Sequence, residues 1–480
     1  ATALIIENCS KLTMNNSLLV VSNQINISGN NDPIRLSGNS QMVQTHTNTS
    51  QVNGPGDLFV DQNSQTPSTF RYNYMSSPVT SGANTFTLED VLKDGTTPTS
   101  AVSNPLDINF IAGQDGSKTS PISISNRWIF TFTNATGETS NFIHQGSTGN
   151  IPNTNGFTIK GPDSEQNYTF VGTPNDGNLT TNTQINANNF YLLGNPYPSA
   201  LNATRFIEDN INTINGELYF WQHASEVDPT NGHLETGYIG GYSVRNLSTG
   251  VAAIDERLTN SGADFFVEPG EYVPVAQGFF VLGNNTGNIN FSNSQREFIT
   301  EGNQSIFLKS NNKSKLPILK LGMEHNISDN RISHRQIAVS FNQKNSHDHD
   351  NGYDSQIIDI NPTDMYWKFP NNRRKYIIAG VAEVDTVDLI PLEIIINEEK
   401  TISIQIDEWN VNNQEVFIFD KLTDNYYSLA NNNKATISLS SGVYNDRFFV
   451  TFENKKTLRQ EDALTNNINL YYNGDAREII

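Results

Sequence analysis

The segment 347–354, which reads HDHDNGYD, holds the residues best suited to binding a metal ion. Asp348, Asp350 and Asp354 would supply carboxylate oxygens, the hard ligands that calcium prefers and that suit transition metals less well. The glycine of the segment does not fall where an EF-hand loop requires its turn glycine. The segment therefore predicts either a calcium site or a solvated loop between two strands, and we favour the loop.

Aromatic side chains form a second candidate site. Tyr219, Trp221 and Tyr242 belong to one aromatic-rich region, and flat rings of this kind stack on sugar rings. Alternate residues of a strand also fill the space between two sheets, so most of these rings are equally expected in a core. Trp221, which stands beside Gln222 and His223, is the member that we expect to be exposed and to contact a glycan.

The chain contains none of the common catalytic sequence patterns. It has no G-x-S-x-G turn, no H-E-x-x-H, no glycine-rich phosphate loop and no pairing of Cys with His that suggests a thiol nucleophile. The 50 acidic residues are numerous enough for some to lie close together by chance, so their number alone does not indicate a glycosidase. We therefore expect a protein without catalytic activity.

Composition narrows the class of protein further. The 480 residues include 30 Lys and Arg against 50 Asp and Glu, a net charge of -20. Such an acidic chain repels phosphate backbones, so nucleic acid is not an expected partner. No apolar stretch reaches the roughly 18 residues of a transmembrane helix. The single cysteine has no partner for a disulfide within the chain, and the length indicates two or three domains.

The elements that must position these residues are almost all β-strands. Short runs of Ile, Val, Phe, Tyr and Thr alternate with turns of Asn, Gly, Asp and Ser, which indicates an all-β fold. Residues 1–56 repeat short strands at even intervals and predict either a β-meander or the rungs of a β-solenoid. Residues 57–300 predict one large, jelly-roll-like β-sandwich. Its one helix is predicted over Ala203–Ile214, capped by Asn202 or Ser199.

A polar stretch after residue 300 marks the next boundary. Residues 301–453 predict a second β-sandwich with strands at Leu316–Met323, Arg335–Asn342, Arg374–Ala379, Leu392–Ile396, Thr401–Ile406, Glu415–Asp420, Ala435–Ser438 and Arg447–Phe452. A charged linker then opens residues 454–480, in which Ile468, Leu470 and Tyr472 would share one face of a new strand. This last segment predicts the start of another domain, and we expect the natural sequence to continue beyond both ends.

A series of short segments runs through the chain in a distinctive order: 72–79 (YNYMSSPV), 156–162 (GFTIKGP), 170–177 (FVGTPNDG), 193–200 (LGNPYPSA), 218–221 (LYFW), 240–242 (GGY), 276–281 (AQGFFV), 416–423 (VFIFDKLT) and 442–448 (GVYNDRF). This set resembles large secreted surface proteins of Bacteroidetes that are exported by the type 9 secretion system. The resemblance covers the chain from about Phe70 to its end. Because the segments also specify turns and strand ends, we interpret them as scaffold and not as a binding site.

The resemblance implies an exported protein of the bacterial cell surface. In such proteins the type 9 translocon and an outer-membrane shuttle protein recognise a C-terminal Ig-like sorting domain, which residues 454–480 would open. The family also carries O-glycans on Asp-Ser/Thr-apolar sites, a pattern that Thr386 matches. The role we expect is adhesion or surface display. The alternative is a carbohydrate-binding module, or an accessory to a polysaccharide-degrading enzyme, with surface glycans as its partners.

Overall fold

The computed structural model describes residues 1–7, 10–29, 33–63, 67–97, 100–223, 233, 240–258, 268–299, 316–384, 389–456, 472–473 and 478–479. Regular structure in these residues is almost entirely β, so the predicted all-β class is confirmed. The helices described are short: α1 covers Leu88–Val91 and α2 covers Ala203–Asn210, with 3-10 turns at Asn126–Trp128, Thr139–Asn141, Asn293–Gln295 and Ala430–Asn432. Within the described residues, no helix is long and apolar enough to cross a membrane.

The N-terminal strands form a parallel β-solenoid. They are β1 (Ala3–Ile6), β2 (Leu12–Asn15), β3 (Leu18–Val21), β4 (Gln24–Ile27), β5 (Ile34–Ser37), β6 (Gln41–Gln44), β7 (Val52–Asn53) and β8 (Leu58–Asn63). The parallel series are β1-β4-β7, β2-β5-β8 and β3-β6, so three strands make one coil. Consecutive strands of a meander would pair with each other in antiparallel fashion, and here each strand pairs with one three places along. Of the two predicted alternatives, the structure is therefore the solenoid.

The next region contains most of the short strands: β9 (Tyr72–Met75), β10 (Val79–Thr80), β11 (Thr85–Phe86), β12 (Leu92–Thr97), β13 (Ser100–Asp107), β14 (Asn109–Ile111), β15 (Ser123–Ser125), β16 (Phe130–Thr131), β17 (Ile143–His144), β18 (Ile151–Pro152), β19 (Phe157–Lys160), β20 (Asn167–Pro174), β21 (Leu179–Thr180), β22 (Phe190–Gly194), β23 (Ala200–Asn202), β24 (Ile214–His223), β25 (Gly240–Arg245), β26 (Gly250–Val251), β27 (Asp255–Leu258), β28 (Tyr272–Val273), β29 (Gly278–Gly283), β30 (Asn290–Phe291) and β31 (Arg296–Glu297). A five-stranded sheet in the order β22-β29-β24-β25-β26 lies at its centre.

The solenoid is continuous with this region. Strand β8 pairs with β5 of the solenoid on one side and with β20 on the other, which gives the sheet order β13-β12-β20-β8-β5-β2. Hydrogen bonds of one sheet therefore cross the predicted boundary between residues 56 and 57.

Helix α2 begins where the sequence predicts and ends earlier. The Asn202 side chain caps it by accepting a hydrogen bond from the Arg205 N–H at 3.0 Å. Phe206 and Ile207 are fully buried on its inner face. The predicted end at Ile214 is wrong, because Ile214 opens β24 and pairs there with β29. Pairing in the sheet outweighs the helical spacing of this apolar residue.

The C-terminal region forms one twelve-stranded sheet from β32 (Ile318–Ser328), β33 (Arg331–Phe341), β34 (Ser355–Gln356), β35 (Asp364–Trp367), β36 (Tyr376–Val381), β37 (Ile390–Ile396), β38 (Lys400–Trp409), β39 (Phe417–Asp420), β40 (Asn425–Ser428), β41 (Ala435–Leu439) and β42 (Gly442–Thr451), joined by β27. All eight strands expected in this region overlap observed ones. The path runs β40-β39-β42-β37-β35-β36-β33-β32-β38-β41. The two edge strands, β40 and β41, are joined by residues 429–434 alone, which can span at most about 25 Å. The two edges therefore lie close together, and the sheet curls back on itself. We call it the curled sheet. Two further strands, β43 (Tyr472–Asn473) and β44 (Glu478–Ile479), pair with each other.

A shared hydrophobic core joins the curled sheet to the preceding region. Tyr219 and Phe280 of the five-stranded sheet belong to the same buried cluster as Leu321, Ile378 and Ile394 of the curled sheet. Strand β27, from the predicted 57–300 domain, also pairs with β33. Contacts thus cross the predicted boundary at residues 300–301 as well.

Candidate functional site

The three aromatic residues singled out in the sequence lie together on the five-stranded sheet. Trp221 stands opposite Tyr242 on β24 and β25, with ring centroids 5.2 Å apart, and Tyr219 lies 6.4 Å from Tyr242. Trp221 and Tyr242 are half-buried. Tyr219 is fully buried, and its hydroxyl donates to Glu217 at 3.2 Å. The Tyr219 ring therefore cannot stack on a sugar, which corrects its place in the predicted glycan site.

A second group of rings extends this cluster, and sequence reasoning missed it. Tyr72 and Trp128 lie on either side of the Lys160 ammonium, which is 4.4 and 4.0 Å from their ring centroids. Lys160 also lies 3.1 Å from Nδ1 of His233, and Nε2 of His233 lies 2.6 Å from Asp115. Burial lowers the pKa of Lys160 to about 7, although the Asp115 carboxylate opposes this shift. The cluster thus holds an amine that is only partly protonated at physiological pH.

The two groups meet at His223. Its Nε2 lies 3.1 Å from the Trp221 indole nitrogen and 3.0 Å from the Tyr72 carbonyl oxygen. Burial, and to a smaller degree the neighbouring cations Arg71 and Lys160, lowers the pKa of His223 to about 4. A neutral imidazole therefore sits at the centre of the cluster. The residues Tyr72, Trp128, Lys160, Trp221, His223 and Tyr242 are called the aromatic cluster below.

The acidic loop, residues 347–354, uses its carboxylates to hold its own backbone. Asp350 accepts a hydrogen bond from the Ser346 N–H at 2.7 Å. Asp354 accepts from the N–H groups of Asp350 and Gly380, both at 2.7 Å, and burial raises its pKa to about 7. Asp348 is exposed. Two of the three predicted ligands, Asp350 and Asp354, thus already accept hydrogen bonds from backbone N–H groups, whereas Asp348 is free to face solvent.

Within the described residues, no group of three or more His, Cys, Asp or Glu side chains is arranged to hold a metal ion. The calcium site thus stays a prediction. It is tested by the melting temperature with added Ca²⁺, which binding would raise in the natural chain and not in Asp350→Ala.

The loop's two histidines pack on aromatic rings of the neighbouring hairpin. His347 stacks on Phe369 with centroids 4.9 Å apart, and His349 stacks on Tyr376 at 5.9 Å. The hairpin itself carries a run of cations that sequence reasoning also missed, although Arg373-Arg374-Lys375 is visible in the sequence.

Three of the remaining predicted residues lie outside the part of the chain that the structure describes. Thr386, the predicted glycosylation site, and both Ile468 and Leu470 of the expected sorting domain lie outside the described residues. Tyr472 lies in β43, which pairs with β44 in antiparallel fashion. In this segment the described residues are these two short paired strands, and the predicted sorting domain stays a prediction.

Comparison with known proteins bears on the chain as a whole. A family model described as "Domain of unknown function (DUF8693)" matches residues 1–452. The chain belongs to this family. No curated protein and no solved structure matches it. The DUF8693 unit runs from the first solenoid strand to the end of β42 in the curled sheet, so it includes all three hydrophobic clusters.

The solenoid of this DUF8693 chain is fastened to the rest by a buried polar network centred on Arg296. The Arg296 guanidinium donates to the Met42 carbonyl and to Gln44 of β6 at 2.5 and 3.2 Å. It lies 3.7 Å from the buried Asp176 carboxylate, which also contacts His46 at 2.8 Å. Burial lowers the pKa of Arg296 to about 10, an effect that Asp176 partly offsets.

Residues of the 193–200 segment complete the network. Tyr197 places its ring 4.7 Å from the Arg296 guanidinium and donates its hydroxyl to the Gly177 carbonyl at 2.7 Å. Asn195 donates to the carbonyls of Ser199 and Pro274 at 2.8 and 2.9 Å. Both side chains are fully buried. These residues, which carry the sequence resemblance, thus act within the core and line no open cleft.

Proposed function

We propose that this DUF8693 protein is a non-catalytic scaffold of the bacterial cell surface, exported by the type 9 secretion system and used in adhesion or surface display. The observation that carries the proposal is the full burial of Asn195 and Tyr197. The most distinctive residues of the chain join the solenoid to the next region through the Arg296 network. A sequence whose distinctive residues maintain shape is typical of a protein that works by presenting a surface.

The export part of the proposal concerns residues 454–480. We expect a deletion of everything from Thr457 onward in the natural gene to keep the protein inside a type 9-secreting bacterium. The deletion leaves residues 1–452 of the family unit intact, so the retained protein should be folded. Its protease resistance in a cell extract checks this. Normal arrival of the truncated protein at the cell surface would contradict the assignment of the export signal.

A second candidate function is carbohydrate binding, favoured by the aromatic cluster. Trp221 and Tyr242 are half-buried neighbours, and His223 next to them carries a ring nitrogen that can accept or donate a hydrogen bond. Rings that are part exposed beside polar groups are the usual means of holding sugars. This role is compatible with display at a surface.

A glycan array on the purified chain tests this candidate. Binding should weaken several-fold in Trp221→Ala, because stacking on one indole contributes roughly 0.5–1.5 kcal/mol. Trp409→Ala, on β38 of the curled sheet, is the matched control and should bind as the natural chain does. Equal binding by Trp221→Ala and the natural chain would remove the aromatic cluster as a sugar site.

A further inference from the structure

The loop between β35 and β36 concentrates positive charge in an acidic protein. It carries Lys368, Arg373, Arg374 and Lys375, whereas the whole chain has a net charge of -20. None of the four forms an ion pair with a carboxylate of the described residues. Arg335, on the neighbouring strand β33, is by contrast paired with a carboxylate through two hydrogen bonds. The loop thus concentrates four cations in eight residues, and we call it the basic loop.

Hydrogen bonds within the basic loop hold these charges in place. The Lys368 ammonium donates to the Asn372 carbonyl, and the Asn372 side chain donates to the Tyr376 hydroxyl at 2.6 Å. Burial lowers the pKa of Lys368; the Glu393 carboxylate opposes this shift, and the nearby charges of Lys375 and Arg373 add to it. Like charges are therefore held close together, at a cost that a bound anion would relieve.

Two buried nitrogen atoms beside the loop have no hydrogen-bond partner in the described structure. They are the NH1 nitrogen of Arg374 and the Nε2 nitrogen of His349. The Tyr376 hydroxyl accepts from the Asn372 amide and lies 3.3 Å from Nδ1 of His349. A guanidinium nitrogen can only donate, so a group that satisfies NH1 of Arg374 must bring acceptor atoms.

The carboxylates around the basic loop are committed to other donors. Asp354 accepts from two backbone N–H groups, and Glu393 accepts from the Tyr366 hydroxyl. Glu217 accepts from Tyr219, and burial raises its pKa to about 8. Arg374 lies near enough to Glu217 and Asp354 to offset part of the rise in their pKa values that burial causes, so the exposed Arg373 and the half-buried Lys375 are the cations of the loop most available for an external anion.

We propose that the basic loop binds carboxylate-bearing polysaccharides, with uronate groups contacting Arg373, Arg374 and Lys375. A guanidinium matches a carboxylate through two parallel hydrogen bonds, and Arg374 can turn toward a ligand without breaking a hydrogen bond from NH1. The Lys375 ammonium is fixed 4.6 Å from the Tyr366 ring centroid and adds a point charge. The inference goes beyond the proposed surface role, since it names a ligand class and does not depend on export.

The charge of the rest of the molecule favours a polysaccharide over a nucleic acid. A duplex carries a phosphate charge about every 1.7 Å along its axis. Such a polymer would meet the acidic surface on either side of the basic loop, where the charges repel. A uronate polymer has one charge per sugar and therefore a lower charge density than a duplex, so the acidic surface around the loop repels it less.

The test measures binding of the purified full chain to polygalacturonate by isothermal titration calorimetry, with neutral dextran for comparison. We expect binding to polygalacturonate alone, weakened about tenfold when salt rises from about 0.05 M to about 0.5 M, because salt screens exposed charges. The double variant Arg373→Gln/Lys375→Gln should bind polygalacturonate about 25-fold more weakly. Each lost contact of roughly 1 kcal/mol weakens the affinity about fivefold, and the two effects multiply.

Lys118→Gln is the matched control, because Lys118 is an exposed cation outside the loop, and it should bind as the natural chain does. If the double variant fails to fold, the charge reversal Arg373→Glu at an exposed position replaces it and should abolish binding. Equal binding of dextran, an unchanged affinity in the loop variants, or equal affinity for duplex DNA would each overturn the proposal. Failed export of the protein in cells would leave this result untouched.

Discussion

A charged triad in the curled sheet makes a sharp prediction about pH and stability. His334 on β33 lies between two carboxylates of the neighbouring strands: Nε2 is 2.9 Å from Asp407 on β38, and Nδ1 is 3.4 Å from Glu324 on β32. The His334 side chain is 1% exposed. Burial opposes its charged form, but the hydrogen bonds to Asp407 and Glu324 outweigh burial and raise its pKa.

The sign of the pH dependence follows from these shifts. The folded pKa of His334 lies above its ordinary value of 6.5, so its protonation adds stability below about pH 6.5, which is lost as pH rises through the folded pKa. Hydrogen bonds from His334 and Lys434 lower the pKa of Glu324 from 4.5 to about 2, against burial. Its contribution is therefore present above about pH 4.5 and is lost as pH falls toward 2. The triad stabilises the fold most between these limits.

The perturbation is His334→Gln, which keeps a donor for Asp407 and removes the charge. Each hydrogen bond between charged groups is worth roughly 1.5–3 kcal/mol, so the variant should lose about 2–3 kcal/mol of unfolding free energy near pH 6. As the pH rises through the folded pKa of His334, the natural histidine loses its charge, and the difference should shrink to about 1 kcal/mol. Urea unfolding followed by tryptophan fluorescence measures both values, with the buried Trp367 as a reporter in the same sheet.

Lys434→Gln is the control, because Lys434 pairs with Glu324 from an exposed position. It should cost at most about 1 kcal/mol, with no change between pH 6 and pH 9. A His334→Gln difference that is equal at both pH values would refute the reasoning, since it would mean that the imidazole is uncharged in the folded protein at pH 6.

Three further predictions concern single buried positions. Gly322→Ala should destabilise the curled sheet by about 1–3 kcal/mol, because its added Cβ would lie 2.3 Å from the His334 ring and 2.6 Å from Asp407; thermal melting measures this. Arg296→Met should cost about 3–5 kcal/mol in urea unfolding, because the buried Asp176 loses its cation, and an unchanged midpoint would contradict the network's role. Glu217→Gln should stabilise the protein by roughly 3 kcal/mol at about pH 9 and have little effect near pH 4. Burial raises the pKa of the Glu217 carboxyl to about 8, so the natural protein loses stability when this buried carboxyl ionises at high pH.

The aromatic and acidic candidates show how far sequence reasoning reaches into a site. Trp221 and Tyr242 were grouped because of residue type, and antiparallel pairing of β24 with β25 does place them side by side. Lys160 could not be added to this group from the sequence, since its contact with Trp128 joins β19 to a 3-10 turn from an earlier part of the chain. The role of Asp354 could not be read from spacing either, because its partner Gly380 lies on a strand that follows later.

Strand content and turn chemistry were determined by the sequence itself. Alternating apolar residues and Asn-rich turns are local properties, so the all-β class, the capped start of α2 and every predicted strand after residue 301 could be inferred. Pairing was decided only by the tertiary structure. Parallel stacking of the solenoid, the curl of the twelve-stranded sheet and the Arg296 network all depend on residues distant in sequence. Which strands pair depends on the burial and hydrogen bonding of the whole chain taken together. A local sequence pattern therefore cannot predict the pairing.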